Sequence, residues 1–241
     1  MPVGAGGNRL RTSRSGSGIE DIVPDELIVS TYDASCRRCP RLATFLDEVR
    51  AAHPDYHCLP VPPFGDPRAR LLVVGLAPGM HGANATGRPF TGDYAGILLY
   101  ETLHAHGFAS SPLSRTRHDP LTLADCRITN TVKCLPPANK PVPREVRNCQ
   151  PYLVADLASV PDGGAILALG RIAHEATLDA LRLRRAAHPF AHGAIHDVGR
   201  GRALFDSYHC SRYNTNTGRL TPVMFAAVFD AIDVHLSRRR P

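Results

Sequence analysis

Short apolar runs alternate along the chain with segments of helical periodicity, which is the pattern of a βαβ protein with a mostly parallel sheet. The first run, ARLLVVGLA (69–77), is continuously aliphatic and β-branched. Such a run is expected for a strand that is covered on both faces. Three further runs predict strands, namely CRITNTVKC (126–134), GAILALG (164–170) and ALFDSYHC (203–210).

Helical segments lie between and after these runs. After the first helical segment, at 94–106, Gly107 stands where a glycine would end the helix. The second begins with Pro143, and Pro151 is expected to kink or interrupt it. The pattern therefore predicts an α/β fold, a three-layer α/β/α sandwich with a central four-stranded, mostly parallel sheet. The predicted helices span residues 94–106, 143–160, 171–183 and 221–236.

The length of 241 residues fits one large domain better than two complete ones. Residues 1–24 are rich in Gly, Ser and Arg, and we expect them to form a flexible basic tail. Residues 25–241 are predicted to form the single domain. No stretch approaches the roughly 18–20 apolar residues of a membrane span, and the first residues lack the apolar core of a secretory signal. The sequence therefore predicts a cytoplasmic protein with no membrane partner.

The formal net charge is +6, and it comes almost wholly from arginine because Lys133 and Lys140 are the only lysines. Arginine bias can reflect genome composition alone. A positive balance also favours a polyanionic partner, since Arg and Lys displace counterions from phosphates. Nucleic acid is the partner class that this charge favours.

Seven cysteines are an odd number, and with no export signal a disulfide framework is not expected. Cys36 and Cys39 form C-x2-C, while Cys134 and Cys149 form C-x14-C around the end of the second strand. Four thiolates can hold a tetrahedral zinc ion or a [4Fe-4S] cluster, and spacing alone does not distinguish them. The role we expect for such a site is structural. The remaining cysteines are predicted to be small buried hydrophobic residues: Cys58, Cys126 and Cys210.

The first strand leads into GLAPGMHGANATGRPFTGD (75–93), which has neither the G-K-[ST] ending of a P-loop nor G-x-G-x-x-G. Its glycines indicate that backbone amides approach a flat ligand closely. Phe90 either fills the core or stacks on a planar base. Asp93 stands immediately before a helix, where it could act as an N-cap with no catalytic role.

Polar residues follow three of the predicted strands. Asp93 follows the first, Asn139 lies between prolines in a loop after the second that cannot be helical, and His209 ends the fourth. The carboxyl ends of parallel strands form one rim, where ligands of such sheets bind. We therefore expect these three side chains to converge at a candidate active site.

Three segments resemble the signatures of the family 5, type B, uracil-DNA glycosylases of the uracil-DNA glycosylase superfamily. They are GLAPGMHGANATGRPFTGD, CLPPANKP and YHCSRYNTNTGRLTP, and the four cysteines resemble that group's iron-sulfur ligands. The resemblance runs from about residue 32 to the last helix. Ala85 departs from it, standing where an arginine is expected, and so do Cys210 and Tyr213 in the loop after His209.

The resemblance implies a monofunctional DNA glycosylase that flips uracil out of DNA and hydrolyses its N-glycosidic bond, leaving an abasic site. Asp93 would position or activate the water, His209 would donate a hydrogen bond to uracil O2, and Asn139 would pair with O4 and N3–H. Phe90 would stack on the base, and the loop at 211–217 would enter the gap in the DNA. The base would also be bordered by Gly75, Ala77 and Gly79, and the DNA contacted by Arg212, Tyr213 and Asn214.

The implied cofactor is a structural [4Fe-4S] cluster on Cys36, Cys39, Cys134 and Cys149, with zinc as the alternative. The implied partner is single- or double-stranded DNA that contains uracil or related lesions, including deaminated purines. We expect a monomer at the bacterial nucleoid. Two rival functions are a noncatalytic, zinc-stabilised DNA-binding module and a relative that attaches covalently to uracil sites through a loop histidine.

Overall fold

The computed structural model describes residues 31–237, together with Met1, and the predicted tail at 1–24 lies almost wholly outside this range. The helices of the described residues begin and end as follows: α1 Pro40–Ala52, α2 Ala83–Thr86, α3 Tyr94–Ala105, α4 Pro143–Ala158, α5 Arg171–Ala180, α6 Arg212–Asn216 and α7 Pro222–Ser237. The strands are β1 Phe64–Gly65, β2 Leu71–Gly75, β3 Cys126–Asn130, β4 Ala165–Leu169, β5 Ile195–Asp197 and β6 Ala203–Ser207.

The described strands form a single sheet in the order β1-β3-β2-β4-β6-β5. The four strands expected from the sequence are its parallel centre, so the predicted fold class is confirmed. The sheet differs from the prediction at its edges, where β1 and β5 pair antiparallel with β3 and β6. These edge strands have only two and three residues, too few for a periodic signal.

Helices cover both faces of the sheet, and the side chains of each strand alternate between two cores. In β2, Leu71 and Val73 pack with α3 and α7, whereas Leu72 and Val74 pack with α4 and α5. All five residues of β2 are buried. This double burial explains why the strand is continuously apolar and gives the three layers of the sandwich.

The register brings the carboxyl ends of the central strands to one edge. Gly75 at the end of β2 pairs with Asn130 at the end of β3, and Leu169 of β4 pairs with Ser207 of β6. The chain runs from β2 to β3 on one side and then crosses to β4 on the other. This edge is therefore the topological switch point at which ligands of such sheets bind.

The local structure differs from the expectations in three places. Helix α4 continues through Pro151, so this proline does not interrupt it. Arg147 and Pro151 are both exposed residues, at a surface where water is available to a carbonyl without a backbone donor. The loop expected at 211–217 contains helix α6. Asn139 lies in a single 3-10 turn, Pro137–Asn139, in which Ala138 and Asn139 have left-handed φ values of 54° and 55°.

No helix among residues 31–237 combines the length and apolar character needed to cross a membrane. The chain segment before α1 is attached to the sheet through the region around the four predicted cysteine ligands. Cys36 and Cys39 pack there with Leu42 of α1, with Val132 just beyond β3, and with Tyr152 of α4. All described residues thus surround one sheet, while the prediction of a domain at 25–241 extends beyond them.

Candidate active site

A cavity of about 410 Å³ opens at the carboxyl edge of the sheet, in the size range of small-molecule sites. It brings together residues from all three predicted segments, although they are far apart in sequence. The glycine loop, the loop after β3 and the end of β6 each contribute to its wall. The predicted residues that line it are Ala77, Gly79, Phe90, Asp93, Asn139, His209 and Arg212.

Asp93 occupies the backbone position of an N-cap before α3, but its side chain makes no capping hydrogen bond. Its carboxylate instead accepts the N–H of Ala83 at 3.0 Å, within the glycine loop. Gly79 and Gly82 lie directly against it, and a Cβ at either position would overlap the carboxylate. Burial raises the pKa of the Asp93 carboxyl above its ordinary value, against the opposing effect of hydrogen bonds from Ala83 and Gly79. The carboxylate is held at the cavity wall as a stronger base than a solvated aspartate.

His209 follows β6 and faces Phe90, with ring centroids 6.2 Å apart and ring planes inclined by 30°. Its carbonyl oxygen accepts a hydrogen bond from the Asn214 side chain at 2.8 Å, which fixes the backbone of the segment. Among residues 31–237 no hydrogen bond reaches its ring nitrogens, so the imidazole can serve a ligand. Desolvation lowers the pKa of His209 to about 4, so the ring is neutral at physiological pH and can donate one N–H.

Phe90 is held rigidly at the cavity wall. Its backbone has a left-handed φ of 58°, which is unusual for an aromatic residue and common at functional sites. The Tyr100 hydroxyl donates to the carbonyl of the preceding Pro89 at 2.8 Å. Gly75 lies beneath the ring, since a Cβ there would be 2.6 Å from its Cζ. Gly75 therefore supports Phe90 and is not among the residues that line the cavity.

Two asparagines line the cavity at different depths. Asn139 is exposed on its left-handed turn. Asn130, which the sequence reasoning missed, is 3% exposed at the end of β3, and its side-chain Oδ1 has no hydrogen-bond partner in the described part of the chain. A buried amide oxygen without a partner is costly, and this oxygen lies against Gly75 beneath the cavity wall. The strand CRITN also carries Arg127 and Thr129, so no sequence signal singled out Asn130.

The central cavity adjoins two similar hollows. One, of about 410 Å³, shares Leu76 and His209 with it, and the other, of about 430 Å³, shares Asp93, Tyr94 and Arg212. Together they form a groove across the carboxyl edge of the sheet, which we call the rim groove. Arginines lie along its whole length: Arg171 and Arg219 in the first hollow, Arg212 in the centre, and Arg115 in the last.

Three of these arginines share an unusual environment. The guanidinium groups of Arg171, Arg212 and Arg219 have no ion pair or hydrogen bond with any residue in the described range. Each instead lies over an aromatic ring, at 4.6–5.4 Å from the ring centroid, the rings being those of Phe190, Tyr94 and Tyr208. The rim groove thus presents unneutralised, oriented positive charge. Of the predicted DNA contacts, Arg212 and Asn214 line the groove, while Tyr213 is 70% exposed outside it.

The four predicted cysteine ligands line a separate cavity, and none forms a disulfide. Cys149 Sγ accepts the backbone N–H of Lys133 at 3.3 Å, and Cys39 Sγ accepts from the Asn148 side chain at 3.5 Å. Within residues 31–237, no three cysteine sulfurs lie within 4.8 Å of one another. A mononuclear tetrahedral zinc ion would need sulfurs about 3.8 Å apart. Cys58, Cys126 and Cys210 are fully buried in the hydrophobic cores, as predicted.

The fold and the cavity together define an α/β enzyme whose active site lies at the carboxyl edge of the sheet and suits a planar ligand. A family model described as the uracil DNA glycosylase superfamily matches residues 62–233. The type-5 uracil-DNA glycosylase of Thermus thermophilus is 50% identical over 208 residues, covering 84% of this chain and 94% of the relative. The type-5 uracil-DNA glycosylase of Mycobacterium bovis is 44% identical over 202 residues, covering 80% of this chain and 75% of the relative.

A third relative has a similar match. The type-5 uracil-DNA glycosylase of Pyrobaculum aerophilum is 41% identical over 198 residues, covering 80% of this chain and 86% of the relative. The chain therefore belongs to the uracil DNA glycosylase superfamily, and the resemblance in sequence to its type-5 members is confirmed.

Proposed function

We propose that the protein excises uracil from DNA by hydrolysing the N-glycosidic bond, and that it leaves an abasic site. Its membership of the superfamily makes it a DNA glycosylase. The observation that carries the proposal is the convergence of Asp93, His209 and Phe90 in one cavity inside an arginine-lined groove. A polyanion in the groove and a planar base in the cavity match this arrangement.

Base recognition combines stacking with amide hydrogen bonds. The rigid ring of Phe90 offers a face for the flipped base. Asn139 lines the cavity, and its side-chain amide would accept uracil N3–H and donate to uracil O4. Cytosine reverses this pattern because it has a lone pair at N3 and an amino group at C4.

Asp93 and His209 would act on opposite sides of the breaking N-glycosidic bond, Asp93 on the sugar and His209 on the base. Departure of uracil leaves positive charge on the sugar and negative charge on the base. The Asp93 carboxylate would stabilise the sugar and accept a proton from the attacking water, for which its raised pKa suits it. The neutral His209 ring would donate its N–H to uracil O2 and stabilise the departing anion. Backbone amides around Gly79 would assist.

Strand binding and base extrusion would involve the rim groove. Arg171, Arg212 and Arg219 have no acidic partner among the described residues, so their charge is available to phosphates. Tyr213 and Asn214 lie on the short helix α6 beside the cavity, and the exposed Tyr213 ring would fill the gap left by the flipped base. We expect the protein to act as a monomer on single- and double-stranded DNA at the nucleoid.

The four cysteines would hold a [4Fe-4S] cluster. The support is a cavity lined by four thiols, together with N–H donors directed at two of the sulfurs. When bound, the cluster would tie the segment before α1 to the end of β3 and to α4. Its contribution would be structural, because the cysteine cavity and the active-site cavity have no lining residue in common.

The proposal is tested by incubating the protein with oligonucleotides that carry uracil, hypoxanthine or thymine, single-stranded and in duplex. Released base is measured directly, and abasic sites are counted by strand cleavage in alkali. We expect release of uracil from both substrates, and release of hypoxanthine if the cavity also admits deaminated purines. Asn139→Asp should lose most of the uracil release, because a carboxylate cannot donate to uracil O4.

The same assay separates the rival functions. DNA binding with no released base, in a colourless protein that contains zinc, would replace the proposal with a noncatalytic DNA-binding module. A protein–DNA band that survives denaturant would indicate covalent attachment to uracil sites.

A further inference from the structure

Three buried polar side chains cluster outside the active site and outside the cysteine cavity. They are His174 of α5, His196 of β5 and Asp206 of β6. One donor atom from each lies within 4.8 Å of the other two. Asp206 is fully buried, His174 is 1% exposed, and the His196 side chain is 10% exposed. Buried groups of this kind are retained only when their charges and lone pairs are matched.

The contacts of His174 require a positive charge inside the cluster. Its Nε2 lies 2.9 Å from the carbonyl oxygen of His188, which only accepts, so Nε2 carries a proton. Its Nδ1 lies 2.7 Å from Asp206 Oδ1. A neutral imidazole has one N–H, and here Nε2 carries it. The lone pair of Nδ1 would then point at a lone pair of the Asp206 carboxylate. Either an additional proton or a metal ion must lie between them.

A single metal ion can engage all three side chains. His196 Nε2 lies 3.1 Å from the other oxygen, Asp206 Oδ2, so two imidazoles converge on one carboxylate. An additional proton on His174, with the N–H of His196 on Nε2, is the metal-free alternative. Donation of the distal N–H to a backbone carbonyl, as His174 does, is also the usual arrangement of a histidine that binds metal.

A fourth donor lies beside the three. His188 Nδ1 lies 3.0 Å from the carbonyl oxygen of Arg184 and donates to it, so Nε2 keeps its lone pair. The rings of His188 and His196 are 5.6 Å apart. His188 is half-buried, and its ring would have to rotate to bring Nε2 to an ion in the cluster. The set offers three imidazole nitrogens and one carboxylate, or two nitrogens, the carboxylate and a water.

We propose that His174, His196 and Asp206 bind a divalent metal ion of the zinc class. Imidazole with carboxylate is a donor set that suits Zn²⁺, at about 2.0–2.2 Å from each donor. The ion would join helix α5 and edge strand β5 to β6, three residues before His209. It would therefore stabilise the strand that carries the active-site histidine, without taking part in the reaction.

The test begins with protein whose cysteine site is loaded with iron, so that zinc cannot bind there. The protein is treated with a chelator, incubated with excess ZnSO4 and gel-filtered. Zinc is then measured per chain, and X-ray absorption at the zinc edge identifies the donor atoms. His196→Gln is compared with wild type, and His118→Gln, which changes an exposed histidine outside the cluster, is the matched control.

We expect about one zinc per chain, bound by nitrogen and oxygen only, in wild type and His118→Gln. The zinc bound per chain should be at least tenfold lower in His196→Gln. Zinc should also raise the Tm of wild type and not that of His196→Gln. If folded, iron-loaded wild-type protein retains no zinc, the proposal is overturned. The cluster would then be held by an additional proton on His174. Zinc with sulfur donors, or zinc retained by His196→Gln, would overturn it equally.

Discussion

At the scale of single residues, Asp93 is where the structure adds most to the sequence. An aspartate before a helix predicts a cap, but the side chain turns away from α3 and into the glycine loop. Because burial raises its pKa, the folded state favours the protonated carboxyl, and the carboxylate costs stability at any pH above that raised pKa. A charge kept where it destabilises the fold indicates a functional role.

The opposite pKa shifts of Asp93 and His209 predict the acid side of the pH–rate profile. Burial lowers the pKa of His209 to about 4, so its ring stays neutral far below the ordinary value of about 6.5. Asp93, with its raised pKa, should therefore be the group whose protonation reduces kcat/KM as the pH falls. The measurement is kcat/KM for uracil release from about pH 4 to pH 9. An inflection near about pH 6.5 that disappears in His209→Asn would contradict the neutral imidazole.

At the scale of elements, the glycine loop fixes the position of the Asp93 carboxylate. Gly79→Ala should reduce uracil release by about 100-fold or more, since a 1 Å displacement of a catalytic group can cost that much. The matched control is Gly107→Ala, where the new Cβ meets nothing within 4 Å but the φ of 76° is unfavourable. It should lose about 1 kcal/mol of stability and keep its activity. Equal activity in the two variants would show that the loop does not hold the carboxylate.

The proposed cluster would join the segment before α1 to the end of β3 and to α4. Cys134→Ala should lose the iron and the brown colour, and its Tm should fall, because the cluster would bridge three parts of the chain. Cys58→Ala removes an equally hydrophobic, fully buried thiol outside the site. It should keep a full complement of iron while losing some stability. Iron content and Tm are measured on both; full iron in Cys134→Ala would remove this residue from the ligand set.

The elements themselves were largely predictable from the sequence. The apolar runs of β2 and β4 are unbroken and easily recognised, whereas β3 and β6 also carry polar residues such as Arg127 and Asp206. The 3-10 turn at Pro137–Asn139 was not predictable, since left-handed φ values at two consecutive non-glycine residues arise from surrounding contacts and not from local preference. Asn130 was missed because its role depends on depth within the cavity, which no sequence pattern records.

At the scale of the whole molecule, the rim groove assembles residues that no local pattern connects. Arg171 follows β4, Phe190 lies in the segment before β5, and Tyr208 and Arg219 lie beyond β6. The sequence predicted an excess of positive charge and placed Arg212 at the DNA, but it gave no role to Arg171. Most of the other arginines within residues 31–237 make ion pairs or hydrogen bonds, so net charge alone does not identify those available to DNA. Among the paired ones are Arg37, Arg41, Arg70, Arg88, Arg185 and Arg200.

Removing groove arginines should weaken DNA binding in proportion to the number of phosphates that the protein no longer neutralises. Arg171→Ala and Arg219→Ala should each reduce the slope of log K against log salt by about 1, with little effect on kcat at saturating DNA. Arg185→Ala, a control that removes an exposed arginine paired with Glu175 and Asp179, should leave the slope unchanged. The slope is measured by fluorescence anisotropy with uracil-containing DNA. Equal slopes in all three variants would exclude the rim groove as the binding surface.

The central claim is that Asp93 serves the hydrolysis of the glycosidic bond of uracil in DNA. It is tested most directly by single-turnover uracil release with wild type and Asp93→Asn, alongside the Tm of each protein. The asparagine keeps an oxygen that accepts the Ala83 N–H, and removing a destabilised charge should leave the Tm equal or higher. We predict a rate about 100- to 10,000-fold lower in a fully folded variant. An undiminished rate in Asp93→Asn, or no uracil release by wild type, would contradict the account.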